Sequence, residues 1–266
     1  MTEPMEQKKK EEEKNGTLKL AWLFPDILSL HGDRGNVLAF QRVAAAAGFD
    51  VDVERIDFDT EDFSPAQYDF IFCPPGELAS CSNIIAWLQP YREEIQSFID
   101  EGRVLLVTGT SQCIFGKQTL REDGSLLEGL GIIDCDYKER KAVYGDDLYF
   151  TTQYGVGEEM EIFGSQIQMM DVRSREEAFG TLKYGFGNDG TDRREGVWKK
   201  NSIFSNTLGP ILVLNPWLTK KIVLQCIKNI GIEMGELPFD MSLEEKSLAT
   251  KKAFTAGKVT RLTNCK

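Results

Sequence analysis

The residues with the clearest chemical potential lie where a short apolar run stops. From 103 to 112 the chain reads RVLLVTGTSQ, in which four apolar residues are followed at once by small ones. A helical pattern comes next, so the segment predicts a strand–turn–helix elbow, the sharp turn on which α/β hydrolytic enzymes expose a nucleophile. Thr108 lies at the tip of this elbow. A threonine hydroxyl is a poor nucleophile at neutral pH unless a neighbouring base activates it.

Two other side chains are candidates to assist at the elbow. Cys113 lies in the helix that follows, where a helix N-terminus can lower a thiol pKa, although a cysteine there also suits a small buried apolar position. His31 is the one histidine and follows the first strand, at the sheet edge that the elbow shares. Two roles are open for His31: it serves as a base toward Thr108, or its side chain fills a packing position. A single histidine excludes a histidine-rich metal site, and six scattered cysteines without a CxxC pair predict a reduced chain.

Two glycine-containing segments are each open to a structural and a functional interpretation. The block at 32–36 reads GDRGN. Asp33 can cap the following helix while the glycines allow tight turns. Alternatively, Asp33, Arg34 and Asn36 present a polar edge to a ligand or a partner subunit. The segment at 185–190, GFGNDG, lacks the lysine and serine or threonine of a phosphate-binding loop, so it predicts a β-turn.

Alternating strands and helices must position these candidates. Apolar runs predict strands at 18–24, 51–56, 68–73 and 104–107. Helices are predicted through Ala46 and over 84–100. This alternation is typical of an α/β fold with a doubly wound, mostly parallel sheet. In the C-terminal half, additional antiparallel strands are predicted at 161–168, 180–184, 196–199 and 202–206. A last helix is predicted at 216–230.

Composition and charge limit the functional classes. With 266 residues and 41% hydrophobic content, the chain can bury a sizeable core. We expect a charged, disordered tail at 1–16, one domain at 17–235 and a polar, aperiodic tail at 236–266. The net charge of -11 argues against a general binder of nucleic acid or membrane surfaces, since both are anionic. No apolar run approaches the roughly 18 residues of a membrane span, and the N-terminus lacks the apolar region of a signal peptide. A cytoplasmic protein is therefore expected.

Five sequence blocks, in a fixed order, resemble one enzyme family. They are FPDILSLHGDRGN at 24–36, DFIFCPPGE at 69–77, TGTSQ at 108–112, LEGLGIID at 127–134, and a C-terminal set at 185–190, 195–197 and 209–216. Together they resemble the GatD family, the glutaminase-like subunits of lipid II isoglutaminyl synthase. These are relatives of cobyric acid synthase among the class I glutamine amidotransferases. The resemblance covers about 18–230 and implies their flavodoxin-like fold.

The resemblance also implies a chemistry. In that family a thiolate at the elbow attacks the glutamine side-chain amide, a histidine serves as base, and backbone N–H groups hold the oxyanion. The ammonia passes to a Mur-ligase-like, ATP-using synthetase subunit, and the pair amidates a peptidoglycan precursor. The family's ligand-binding turns correspond here to Gly76, Glu77, Gly109 and Gln112. The resemblance implies no cofactor for this subunit, because ATP and magnesium belong to the partner.

This sequence departs from the family pattern at the positions that carry the chemistry. Thr108 stands where the family has its cysteine, and Leu208 stands where it has its histidine, just before a Gly-Pro pair. The oxyanion turn contains Pro74 and Pro75, which have no N–H to donate. Where the family has an arginine for the substrate carboxylate, this chain offers Asp171. Loss of both thiol and base removes the covalent mechanism, so we expect a glutaminase-inactive chain.

Three functional hypotheses follow from these observations. The first is a non-catalytic subunit that keeps the fold and binds a Mur-ligase-like synthetase as a heterodimer. The second is an active glutaminase component whose nucleophile and base have moved to Cys113 and His31. The third is a free-standing protein that binds a small molecule in the former glutamine pocket. The first is favoured because both catalytic residues of the family are replaced.

Overall fold

The elements that position the elbow are seen in a computed structural model, which describes residues 14–235, 237 and 240–256. Its strands are β1 (Gly16–Leu23), β2 (Phe49–Ile56), β3 (Phe70–Cys73), β4 (Val104–Thr108), β5 (Gln118–Leu120), β6 (Leu126–Glu128), β7 (Cys135–Thr152), β8 (Met160–Ser174), β9 (Gly180–Tyr184), β10 (Arg194–Glu195), β11 (Val197–Lys199) and β12 (Ser202–Ser205). Its α-helices are α1 (Arg34–Ala46), α2 (Cys81–Leu88), α3 (Arg92–Asp100), α4 (Gln112–Phe115), α5 (Ile211–Leu214), α6 (Pro216–Asn229) and α7 (Ser242–Ala256).

The central sheet consists of six strands in the order β11-β12-β4-β3-β1-β2. Four of them, β1 to β4, come from the first half of the chain, and β11 and β12 come from the second half. Every pair in it is parallel except β11 with β12. Strands β3 and β4 are buried along their whole length, which explains why their sequences are continuous apolar runs. The predicted α/β fold with a doubly wound, mostly parallel sheet and extra antiparallel strands is confirmed.

Helices cover both faces of the central sheet and create two apolar cores. The side chains of β3 contribute alternately to the two cores, because successive side chains of a strand point to opposite faces of the sheet. Phe70 and Phe72 pack with α1, α5 and α6. Ile71 and Cys73 pack with α2, α3 and α4. The loops after β1, β3 and β4 therefore meet at one edge of the sheet, the carboxyl edge, where doubly wound folds carry their sites.

A second, mostly antiparallel sheet lies in the C-terminal half, in the order β10-β9-β7-β5-β6, with β8 paired to β7. Strands β7 and β8 form a long hairpin whose register shifts between Glu139 and Tyr144. The sequence analysis predicted the strand within β8 but missed β7. Much of β7 is exposed and polar, so its extended form depends on pairing with β8 rather than on an apolar pattern of its own.

Two predictions about helices and termini need correction. The helix predicted over 84–100 is two helices, α2 and α3, because Pro90 opens a 3₁₀ turn between them. The tail predicted at 236–266 contains helix α7, which begins at Ser242. The Asp240 carboxylate accepts a hydrogen bond of 2.9 Å from the backbone N–H of Ser242 and so stabilises the start of this helix. The charged tail predicted at 1–16 lies mostly outside the described residues, and Gly16 already belongs to β1. No helix in the described part of the chain has the length and apolarity to cross a membrane.

Candidate functional site

The elbow predicted from the sequence is present at the end of β4. Thr108 is the last strand residue, a 3₁₀ turn spans Gly109–Ser111, and α4 follows. Gly109 adopts φ +60°, a left-handed conformation that glycine tolerates and that makes the sharp reversal possible. The Ser111 hydroxyl donates to the carbonyl of Pro74 over 2.6 Å, which ties the elbow to the neighbouring turn after β3. The backbone thus has the form of a nucleophile elbow.

The tip of the elbow is covered by apolar side chains. A Cβ atom placed on Gly109 would lie 2.9 Å from both Leu208 Cδ2 and Pro75 Cβ, so these two side chains already press against the turn. Leu208 is 1% exposed, and Thr108 is fully buried. The backbone of Leu208 is held in place by two hydrogen bonds with Ser165, of 2.7 and 3.0 Å. The position that the family resemblance assigns to a histidine is therefore an apolar lid over the elbow.

A buried carboxyl lies beside Thr108. Asp33 Oδ1 accepts a hydrogen bond of 2.8 Å from Asn36 Nδ2 and a longer one, 3.5 Å, from the Thr108 hydroxyl. Asp33 Oδ2 has no hydrogen-bond partner among the described residues. Burial raises the pKa of Asp33 to about 7, because an ionised carboxylate loses its hydration there. Asn36 in turn accepts from the backbone N–H of Leu212 over 2.9 Å, which anchors the start of α5.

These contacts revise both interpretations of the 32–36 block. Asp33 precedes α1, but its side chain makes no capping hydrogen bond to that helix. Asp33 and Asn36 are 1% and 0% exposed, so neither side chain presents a polar edge to a partner. Arg34 is exposed and alone of the three is available at the surface. Gly35 allows close packing, since a Cβ there would lie 2.5 Å from Pro210 Cγ.

A buried polar network lies beneath the elbow on the β4–β12 side. Gln112 Nε2 donates to the carbonyl of Gly109 and to Asn206 Oδ1, each over 3.1 Å. Asn206 Nδ2 donates to Glu195 Oε2 over 3.0 Å, and the Ser205 hydroxyl donates to Glu195 Oε1 over 2.8 Å. Glu195 is fully buried, and burial raises its pKa. The sequence analysis missed Glu195 and Asn206, because nothing in the letters around them distinguishes a buried acid or amide from an exposed one.

Two buried glutamines of β8 support the turn at 185–190. Gln166 Oε1 accepts hydrogen bonds of 3.1 Å from the backbone N–H groups of Phe186 and Gly187. Gln168 Nε2 donates to the carbonyl of Asn188 over 2.8 Å. The turn is thus built into the protein interior, in accord with its prediction as a turn rather than a phosphate loop. Asp171, at the position of the family's arginine, pairs with the Arg140 guanidinium.

Cys113 and His31, the two other residues that the sequence analysis considered for catalysis, are poorly placed for chemistry. Cys113 is 1% exposed, and its hydrogen bond with the Cys81 thiol, together with burial, raises its pKa well above the usual thiol range. A protonated, buried thiol is neither nucleophilic nor accessible. His31 lies at φ +62° with its pKa lowered by burial, and among the described contacts it makes no hydrogen bond to Thr108. The described residues contain no cluster of three or more metal-ligating side chains.

The predicted ligand-binding positions are likewise mostly internal. Gly76 is buried, and a Cβ there would lie 2.2 Å from Leu28 Cδ2. Gly109 and Gln112 are also buried, and Gln112 Oε1 finds no partner among the described residues. Glu77 is the exposed member of the four. Three of the four predicted ligand-binding residues are thus part of the interior in this structure.

Comparison with known proteins gives two kinds of similarity. The chain is 27% identical over 235 residues to the GatD subunit of the glutamine-hydrolysing lipid II isoglutaminyl synthase of Staphylococcus aureus (strain N315), covering 86% of this chain and 93% of that protein. It is 28% identical over 219 residues to the corresponding subunit of Streptococcus pneumoniae (strain ATCC BAA-255 / R6), covering 79% and 81%. No family model matches the chain.

Among solved structures, the glutaminase domain of Trypanosoma brucei CTPS with bound acivicin superposes with a TM-score of 0.51 at 12% identity, covering 83% of this chain and 96% of that domain. At this identity the likeness concerns the fold. The chain therefore has a class I glutamine amidotransferase-like fold and is a distant homologue of GatD.

Proposed function

We propose that this protein is a GatD-like subunit related to lipid II amidation that does not hydrolyse glutamine and instead binds a Mur-ligase-like synthetase. The distant homology to GatD supports the relation to lipid II amidation. The proposed inactivity has a separate basis, in the residues around the elbow. The two parts of the proposal are tested separately below.

The closed elbow is the observation that carries the proposed inactivity. Glutamine hydrolysis through a covalent intermediate needs an exposed nucleophile, a base in hydrogen-bond reach and space for the substrate amide. Thr108 is fully buried, and its hydroxyl makes its hydrogen bond to Asp33 over 3.5 Å. Leu208 and Pro75 occupy the space above Gly109. The first and third requirements, an exposed nucleophile and space for the substrate, are therefore unmet at the same place, and the base in hydrogen-bond reach of Thr108 is the buried Asp33.

Replacement of one residue does not remedy this arrangement. A cysteine at 108 would supply a thiol but no opening, because Leu208 would still cover the turn. A histidine at 208 would place an imidazole against Gly109 and Pro75, while position 108 would still lack a thiol. Groups that act as a catalytic unit lose nearly all activity when one is absent, so each single reversion is expected to stay inactive.

Glutamate release from glutamine tests the inactivity. The purified chain is assayed alone and with the Mur-ligase-like synthetase of the same organism, beside the S. aureus GatD relative as positive control. We expect no release above buffer in either state, and none from Thr108→Cys. Release at the control's level that disappears in Cys113→Ala would replace this proposal with a relocated nucleophile. Release that persists in Cys113→Ala would show that the elbow opens and that Thr108 or Asp33 acts.

Binding tests the partner role independently of catalysis. The chain and the synthetase are mixed and followed by size-exclusion chromatography with light scattering, and a one-to-one complex is expected. Absence of a complex would refute the partner role. A thermal stabilisation by glutamine or a cell-wall peptide without any complex would instead favour a free-standing ligand-binding protein.

A further inference from the structure

One face of the second sheet is exposed to solvent and has an unusual composition. Strands β5, β6 and β7 place Leu120, Leu126 and Lys138 directly beside one another, through the register pairs Leu120↔Leu126 and Leu120↔Lys138. Next to them, Asp136 lies opposite Arg173 of β8. Residues directly opposite in a sheet share a face. Asp171 of β8 lies opposite Lys138 in the same way. We call this surface, made of Leu120, Leu126, Asp136, Lys138, Asp171 and Arg173, the basic face.

The reverse side of the same strands faces the protein interior. Thr119, Tyr137 and Val172 alternate with the residues of the basic face and are 0%, 3% and 3% exposed. Alternation fixes the register, since a shift by one residue would bury the charges and expose the core. The composition of the basic face is therefore not imposed by packing, and its side chains are free to meet another molecule.

The basic face is concave and partly apolar. It lines a groove of about 440 Å³. Leu120 and Leu126, paired across β5 and β6, are 38% and 61% exposed. Scattered single leucines are normal on a protein surface, but two adjacent ones in a groove with charged neighbours are typical of an interaction site.

The unpaired charge of the basic face is opposite to that of the whole chain, because its two acids, Asp136 and Asp171, pair with Arg175 and Arg140. The chain carries a net charge of -11, yet the groove is lined by Lys138, Arg173 and Arg175 against one acid, Asp136. Arg175 is paired with Asp134 and Asp136 at 2.8 and 3.4 Å. Among the described residues, Lys138 and Arg173 form no ion pair within 4.0 Å. Two cations thus remain available at the groove for an external anion.

We propose that the basic face is the docking site for an acidic segment of the Mur-ligase-like synthetase that carries an apolar side chain. This inference depends on the proposed partner role. The apolar side chain packs on Leu120 and Leu126, and carboxylates beside it pair with Lys138 and Arg173. Charge complementarity selects such a segment over a basic one and speeds the encounter of the two proteins. A second copy of this acidic chain is the competing occupant, and the test below separates it.

The test uses full-length protein and the synthetase as the binding probe. Lys138→Glu/Arg173→Glu reverses the two free cations, and Leu126→Ser removes the most exposed apolar contact. Lys200→Glu/Lys246→Glu and Leu243→Ser are matched controls, with equal changes at exposed sites outside the basic face. Binding is measured by calorimetry at low and high salt. Melting curves check that each variant is folded, which is expected because the changed side chains are exposed.

We expect the charge reversal to weaken synthetase binding by about tenfold or more and to reduce its salt dependence. Leu126→Ser should weaken it by about fivefold or more, and both controls should bind as the wild type does. Hydrogen exchange in the complex should protect 118–138 and 171–175. If the wild type binds and the basic-face variants bind equally well, this docking site is refuted while the partner role stands. Equal weakening by the control variants refutes it too, as does self-association of the chain through this face.

If the wild type does not bind the synthetase at all, the partner role and the docking site fall together. The two failures are thus distinguished by the wild-type titration alone.

Discussion

Replacement of Asp33 by asparagine tests the electrostatics of the elbow most directly. Asp33 is 1% exposed, and burial raises its pKa from 3.8 to about 7, against smaller opposing contributions from Asn36 and Thr108. The folded protein therefore keeps a proton on this carboxyl at pH values where the unfolded chain has lost it. Asparagine has nearly the same shape, can accept the same bonds through its Oδ1, and does not titrate.

The sign and size of the effect follow from proton linkage. Because the folded pKa lies above the unfolded one, the native state binds more protons between the two values, and stability falls as pH rises through this window. Above the folded pKa both states are ionised and the loss is complete. Integration of the two titrations predicts that the destabilisation by Asp33 grows by about 2 kcal/mol between about pH 5.5 and about pH 8.5. Asp33→Asn should lack this contribution.

Urea denaturation of both proteins across that range measures the effect. The difference in free energy of unfolding between variant and wild type should change in favour of the variant as pH rises. Other buried acids, such as Glu195, titrate in both proteins and cancel in this difference. Parallel stability curves would refute the argument, since they would mean that Asp33 is ionised and solvated in the folded state. The carboxyl carbon shift of Asp33 in an NMR titration gives an independent reading of the same pKa.

Three further predictions concern the elbow and the network beneath it. Gly109→Ala places a Cβ at a residue with φ +60°, within 2.9 Å of two neighbouring side chains. We expect it to lower the free energy of unfolding, measured by urea denaturation, by about 3 kcal/mol. Gly124→Ala is the control, because Gly124 also has a positive φ of +85° but has open space around it. It should lower the free energy of unfolding by about 1 kcal/mol. Equal losses of stability in the two variants would refute the close packing of Leu208 and Pro75 on Gly109. Glu195→Ala should cost about 3 kcal/mol, measured likewise, because it leaves buried donors unpaired. Cys113 should escape alkylation by iodoacetamide in native protein, as mapped by mass spectrometry, and rapid labelling would contradict its burial.

The order of elements in the central sheet was predictable because local patterns and burial agree there. Strands β3 and β4 are buried on both faces, so their sequences must be apolar throughout, and this pattern is visible in the letters. The elbow is equally visible, since Gly109 is needed for its positive φ. Thr108 ends β4, and the turn of the elbow begins at the next residue.

Other features depend on tertiary contacts that a single sequence does not display. The roles of Asp33 and Asn36 could not be predicted, because a surface cap and a buried hydrogen-bond pair have the same residue types. The long strand β7 could not be predicted either, since much of it is polar and its partner β8 comes later in the chain. For α7 a signal existed: Asp240 before SLEE is a helix start with acidic residues in the first turn.

The residues around the elbow form one consistent arrangement. A buried imidazole at 208 would need a hydrogen-bond partner, whereas Leu208 needs none and packs against Gly109. Asp33 is buried as well, and burial raises its pKa to about 7. Gln112 and Asn206 meanwhile keep the β4 and β12 ends joined beneath the cover. Under the proposed function, this edge of the sheet serves as core, and an exposed surface such as the basic face carries the interaction with the synthetase.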